Sequence, residues 1–307
     1  MAGEHASIPA DISDELAYLH DGSPEGLLSC IFAAYERHED PAEIACQADH
    51  QPRLLQTSVI IPTDPDHAHR VLAGIRTRLG AYTHRQALKC TLSGRADAGT
   101  ALYRFVRFAL DGTDRRHCES CRFQDRCARR SCQRMRMAPV NDVTHPRVKP
   151  FHDAVRSVDN ECEKIRQFAR FQHLRDEDRD IWFARINPKD SVVPLVLEHF
   201  VERFSIQPFI LYDEVHALAG IWNGRGSYLV DADDDALTLP GASATEAVMQ
   251  DAWKAFYRTL SIDARYNPEL RRQHMPKRFW KNLTEMQGTA TALRRPHERP
   301  IEEVPGF

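Results

Sequence analysis

The stretch ELAYLHDGSPEGLLSCIFAAYE, residues 15–36, reads as strand, turn and helix in immediate succession. ELAYLH is a short strand candidate, and Asp21-Gly22 is a turn signal. Ser23 offers a side-chain oxygen to cap the helix that follows. Pro24 suits the first helical position, because an N–H there has no partner inside the helix. Leu27, Leu28, Ile31, Phe32 and Tyr35 then recur at helical spacing. The mixture continues outward. LLQTSVIIP, residues 54–62, reads as a second strand. Thr63 or Asp64 caps a helix with Ala68, Val71, Leu72, Ile75 and Leu79 on one face. A further helix carries Leu102, Phe105, Val106, Ala109 and Leu110.

The second half repeats this mixture. From Phe151 a long helix is expected to turn Val155, Val158, Cys162, Ile165, Phe168 and Phe171 inward. DIWFARI, QPFILYD and GSYLV read as strands and VVPLVLEHFVERF as an amphipathic helix. ATEAVMQDAWKAFYRTLSI is the last clear helix. The expected class is α+β, with a small central sheet, packed helices and an inserted Cys-rich metal or cluster module. The expected division runs from a flexible N-terminus at 1–15 to an α+β first half at 16–110. An Arg/Cys-rich module follows at 111–150, punctuated by Pro139, Pro146 and Pro150, then an α+β second half at 151–286. The proline-rich, polar tail at 287–307 is expected to be disordered.

The chain has 307 residues, 42% hydrophobic and 28% charged, a balance that allows a core of useful size. Its formal net charge of −3 means that any nucleic-acid surface is a local patch. No apolar run reaches the length of about 18 residues that a membrane helix needs. The opening MAGEHASIPADISDE lacks the basic start and apolar stretch of a secretory signal. The expected compartment is therefore the cytoplasm, where thiols stay reduced and disulfides are rare.

Of eight cysteines, Cys30 and Cys162 fall on apolar helix faces and read as core. Cys118, Cys121, Cys127 and Cys132 form a C-x2-C-x5-C-x4-C array in HCESCRFQDRCARRSC. Four thiolates on one short loop can converge on a single centre, and in a reducing compartment that points to a metal or cluster. The inner gap of five is shorter than the usual zinc two-knuckle layout. The spacing lies near that of the zinc knuckles that bind single strands. The first three cysteines also resemble the C-x2-C-x5-C element of iron–sulfur staples in some DNA nucleases and of auxiliary clusters in radical-SAM enzymes. A [4Fe-4S] cluster is the expected occupant and Zn2+ the alternative. Between Arg115 and Arg136, eight arginines face only Glu119 and Asp125. Arg122, Arg126, Arg129, Arg130 and Arg134 are the nucleic-acid candidates there, since guanidinium binds phosphate bidentately and stacks on bases. The alternative is that they only neutralise an anionic cluster.

A second basic block, RTLSIDARYNPELRRQHMPKRFWK, runs from Arg258 to Lys281 with Tyr266, Phe279 and Trp280 interleaved. Arg265, Lys277, Arg278, Trp280 and Lys281 are its candidates for tracking phosphates and stacking bases. The alternative places Phe279 and Trp280 in the core under a solvated basic rim. Lys164 and Arg170, on the long helix after the cysteine segment, are further candidates, with a solvated face as the alternative. No Walker loop, G-x-G-x-x-G, G-x-S-x-G or H-E-x-x-H occurs, so no catalytic residue is assigned. Asp66 with His69 and Asp213 with His216 have the spacing of acid–base partners, but such isolated pairs are expected on the surface. The acidic DADDD at 231–235 reads as a loop.

Several blocks together resemble a family of bacterial DNA-metabolism proteins encoded beside a radical-SAM DNA modification or repair protein. A related domain occurs fused to uracil-DNA glycosylase-like domains. The resemblance rests on YLHDGSPEGLLSCIFAAYE, TDPDHAHRVLAGI, ECEKIRQFARF, PLVLEHFVERF and AWKAFYRTLSIDARYNPELRRQHMPKRFWKNLTE. The last block is the most specific, with Arg265, Asn267, Met275-Pro276, Trp280 and Leu283. The cysteine-rich segment is not a general feature of that family, and Cys162-Glu163 stands where basic or histidine residues are common. The resemblance implies a DNA repair or modification context and supplies no reaction. The leading expectation is a DNA-binding accessory protein that presents nucleic acid to a radical-SAM or glycosylase-type partner. The alternatives are an enzyme acting directly on damaged or modified DNA, and a protein–protein adaptor with a structural metal site.

Overall fold

The computed structural model describes residues 16–111, 142–232 and 239–287. The chain divides into two compact units between Asn160 and Glu161. The first unit contains β1 (Leu16–His20), α1 (Pro24–Glu36), β2 (Glu43–Cys46), β3 (Thr57–Ile60), α2 (Pro65–Leu79), α3 (Ala81–Thr91) and α4 (Ala98–Asp111). It also holds the start of α5 (Lys149–Phe168). Its three strands form a parallel sheet in the order β2-β1-β3. A central parallel strand is covered on both faces, and Ala17, Tyr18 and Leu19 of β1 are accordingly buried.

The Asp-Gly-Ser turn is built as its chemistry dictates. Gly22 takes φ +95°, a left-handed conformation open to glycine. The Asp21 carboxylate accepts the Ser23 N–H at 2.9 Å and the Ser23 hydroxyl at 2.6 Å. Ser23 Oγ in turn accepts the Gly26 N–H and caps α1, with Pro24 at the first helical position. Asp64, not Thr63, caps α2, accepting the Asp66 N–H at 2.8 Å. Thr63 donates its hydroxyl to Asp21 at 2.7 Å, which joins the two helix starts. Behind them lies one core of Tyr18, Leu28, Ile31, Leu79, Leu102 and their neighbours. Phe105 of α4 stacks on Phe151 of α5 with ring centroids 3.8 Å apart.

The second unit carries the end of α5, β4 (Gln172–Arg175), β5 (Asp180–Ile186), α6 (Val193–Phe204), β6 (Phe209–Asp213), β7 (Leu218–Trp222), β8 (Ser227–Asp231), α7 (Glu246–Leu260) and α8 (Pro268–His274). Short 3-10 turns at Asp263–Arg265, Lys277–Asn282 and Thr284–Met286 complete it. The sheet order is β4-β5-β6-β7-β8. Only β5 and β6 run parallel, because α6 connects them as a crossover. Val193, Val196, Leu197 and Phe200 of α6 are buried. Gly220 of β7 is what lets α6 approach, since a Cβ there would stand 2.9 Å from Val193 Cγ1 and 3.0 Å from Leu197 Cδ1. Asn223 closes the β7–β8 hairpin by accepting the Arg225 and Gly226 N–H groups.

The expectation of one central sheet is corrected to two sheets, one in each unit. Strands β2, β4 and β7 and helices α3 and α8 lie outside the expected set. Phe171 does not extend α5, which ends at Phe168. It packs from the following link against the rings of Phe200, Phe204 and Phe209. Of the expected module at 111–150, residues 112–141 lie outside the described residues, while Lys149 and Pro150 open α5. The expectations for 1–15 and for the tail beyond Gln287 also fall outside them, as do Asp233, Asp234 and Asp235 of the acidic tract.

Candidate nucleic-acid interface

Helix α7 presents two stripes. Lys254, Tyr257, Arg258 and Ser261 follow one another at three- and four-residue steps on the first. Met249, Trp253, Phe256 and Leu260 do so on the second, and all four are exposed. Of the whole helix only Glu246 is buried. Its carboxylate accepts the His173 N–H at 2.9 Å and anchors the helix start to β4. After α7 the chain turns through Asp263–Arg265 into α8, capped by Asn267, whose side chain accepts the Glu269 and Leu270 N–H groups.

α7, this turn, α8 and residues 285–287 enclose an open groove of about 900 Å³. Four cationic side chains line it: Lys254, Arg258, Arg265 and Arg271. Tyr257 and Tyr266 stand among them. The Arg271 guanidinium lies over the Tyr266 ring at 5.8 Å and over the Trp280 ring at 5.2 Å. Two carboxylates, Asp251 and Glu285, also line the groove. Glu285 is already neutralised, because Arg170 bonds both its oxygens, at 2.7 and 3.4 Å, and Trp253 Nε1 donates to it at 2.9 Å. Burial alone would raise its pKa. The bonds from Arg170, from its own backbone and from Trp253 outweigh that and hold it below the usual carboxylate range. Asp251 is exposed and lies 3.9 Å from Lys254. Arg258, Arg265 and Arg271 have no carboxylate partner among the described residues.

The other candidates from the sequence separate cleanly. Arg278 is bound to both oxygens of buried Glu161, at 2.8 and 2.6 Å. Lys164 lies 3.7 Å from the same carboxylate. Lys281 pairs with Glu214. With Arg170 on Glu285, these groups hold the unit together. Trp280 is half-buried and donates its indole N–H to the Met275 carbonyl, and Phe279 is core. Arg265 opens onto the groove and Lys277 is exposed. Cys118, Cys121, Cys127 and Cys132 lie outside the described residues, as do Arg122, Arg126, Arg129, Arg130 and Arg134. The groove adds Lys254 and Tyr257, and it selects Arg258, Arg271 and Tyr266 from the basic block. The signal for them is the helical spacing of Lys254, Tyr257 and Arg258 beside the apolar stripe.

Asp213 and His216 are not the isolated surface residues expected. Asp213 is fully buried, and its Oδ2 lies 2.6 Å from His216 Nδ1. Its Oδ1 accepts the N–H groups of Val215 and His216, which closes the β6–β7 turn. Asp66 and His69 are exposed, as expected. Cys30, Cys90 and Cys162 are buried. Burial pushes the thiols of Cys30 and Cys90 up to about 12, so neither is a thiolate near neutral pH. Among the described residues no group of three or more His, Cys, Asp or Glu side chains is placed to hold a metal ion. None of their helices is long and apolar enough to cross a membrane.

No curated protein matches the chain. The family DUF4130, described as a domain of unknown function, matches residues 125–285. That span takes in the whole groove except its last two residues, together with Cys127 and Cys132, and leaves out Cys118 and Cys121. It covers more than half of the sequence, and the chain belongs to the DUF4130 family.

Proposed function

We propose that this chain is a DNA-binding accessory protein of DNA repair or modification, presenting nucleic acid to a radical-SAM or glycosylase-type partner. The observation that carries the reading is the groove of α7 and α8. Arg258, Arg265 and Arg271 meet there beside two tyrosines and without a carboxylate of their own among the described residues. Arg170 and Arg278 of the same unit, by contrast, each hold a buried carboxylate, with closest contacts of 2.7 and 2.6 Å. Unpaired guanidinium groups in a groove attract phosphate, and each phosphate neutralised releases counterions. The partner class comes from the family resemblance in the sequence. The four-cysteine segment is proposed to carry a [4Fe-4S] cluster, with zinc as the alternative.

The test is fluorescence anisotropy of a labelled 20-mer with the purified full chain across a salt series. Binding is expected to weaken steeply with salt. Arg258→Gln with Arg265→Gln should reduce the log–log salt slope by about 2, roughly one for each lost phosphate contact. An unchanged slope would remove the groove from the reading. One observation favours an adaptor as the second reading, namely the exposed apolar stripe of Met249, Trp253, Phe256 and Leu260. Absence of nucleic-acid binding even at low salt would select it.

A further inference from the structure

We propose that the groove selects a single strand with unstacked bases over a duplex. This rests on the nucleic-acid reading and adds the strand type. The groove is more than cationic. Leu260, Ile262, Tyr266 and Leu270 line it and are 63%, 56%, 41% and 49% exposed. They come from α7, the link after it and α8, so apolar surface alternates with Lys254, Arg258, Arg265 and Arg271 along the same wall of chain.

A duplex offers such a surface no match. Its outside is charged sugar–phosphate and its bases face inward, so seating it here would strip water from phosphates against leucine and isoleucine with nothing in return. A single strand exposes both kinds of surface. Its phosphates can meet the guanidinium groups while its bases stack on aromatic rings and cover the apolar side chains. Tyr266 is prepared for this role. Arg271 lies over its ring at 5.8 Å, while 41% of the residue remains open to solvent. Arg271 is itself held between two rings, with Trp280 at 5.2 Å. A base seated on Tyr266 would therefore have a guanidinium close by. This arrangement needs no hydrogen-bond readout of base edges, so it is tolerant of sequence.

The experiment compares three probes of equal length and label on the full chain at one salt concentration: a mixed-sequence single strand, the matching duplex, and a single strand of abasic sites. The abasic strand keeps every phosphate and removes every base. The expected order has the ordinary single strand tightest, with the abasic strand about ten-fold weaker or more, the scale of one lost base stack. Tyr266→Leu should narrow that gap and leave the salt slope unchanged. Because Tyr266 is exposed, the variant should melt at the wild-type temperature. Equal affinity for ordinary and abasic strands, or tighter binding of the duplex, overturns the strand selection and leaves the nucleic-acid reading standing. Failure to bind any of the three probes overturns both.

Discussion

Arg170 gives its guanidinium to Glu285, whereas Arg258 meets no carboxylate among the described residues, and nothing in their sequence neighbourhoods separates the two. Both lie in basic, aromatic surroundings that read alike as nucleic-acid surface. The difference is made by distant chain, since Glu285 is 115 residues from Arg170 and Glu161 is 117 from Arg278. Such pairings are invisible to local spacing. They have a consequence in acid. The Glu285 carboxyl titrates below its ordinary 4.5 in the folded chain, so its contribution to stability is intact above that value and is lost as the pH falls through the lower folded one. Urea melts between pH 6 and 3 should show stability falling over the lower part of that range. Glu285→Gln should flatten this fall and lower stability at pH 6 by about 3 kcal/mol, the scale of breaking a buried pair. An unchanged pH slope in that variant would show that the carboxylate contributes nothing when ionised.

At the scale of elements, strong periodicity and turn chemistry were readable, and weakly apolar segments were not. β1, α1, α2, α4 and β5 stand close to where spacing and caps place them. α3 escaped because its buried face is Thr83, Gln86, Ala87, Cys90 and Thr91, correct in period but largely polar in composition. β2 has only four residues, and its sheet position is secured by a distant side chain, with the Ile44 N–H donating to Thr100 Oγ1 of α4 at 2.9 Å. β7, outside the expected strands, carries Gly220 in mid-strand, and glycine in a strand normally argues against one. Its reason is the approach of α6. Gly220→Ala should therefore destabilise the protein by about 1–3 kcal/mol through overpacking against Val193 and Leu197. Thermal melts check this, and a neutral result would mean that α6 shifts freely. The groove was legible in part, because the basic block named Arg265 directly, while Lys254 and Tyr257 become visible only when the polar face of α7 is traced.

For the whole molecule, the net charge of −3 hides a division of labour among its arginines, some internal and some free to meet phosphate. The cysteine segment belongs to this scale, because a cofactor would set the chemistry available to the protein and its partner. Anaerobically purified protein is expected to be brown, with iron and acid-labile sulfide that Cys121→Ser removes. About one equivalent of zinc in a colourless protein would instead make the segment a structural module, and neither metal would end the assignment. The outermost strand of the second sheet bears on a different matter. β8 has a neighbour on one side only among the described residues, and Tyr228, Leu229 and Val230 on it are exposed. Such a strand is a template on which a second chain can add, the first step of amyloid-like growth. Asp231 ends it, and three more aspartates follow in sequence at 233–235. Addition of a second copy in parallel register at that edge would set one Asp231 against another, and the like charges oppose it.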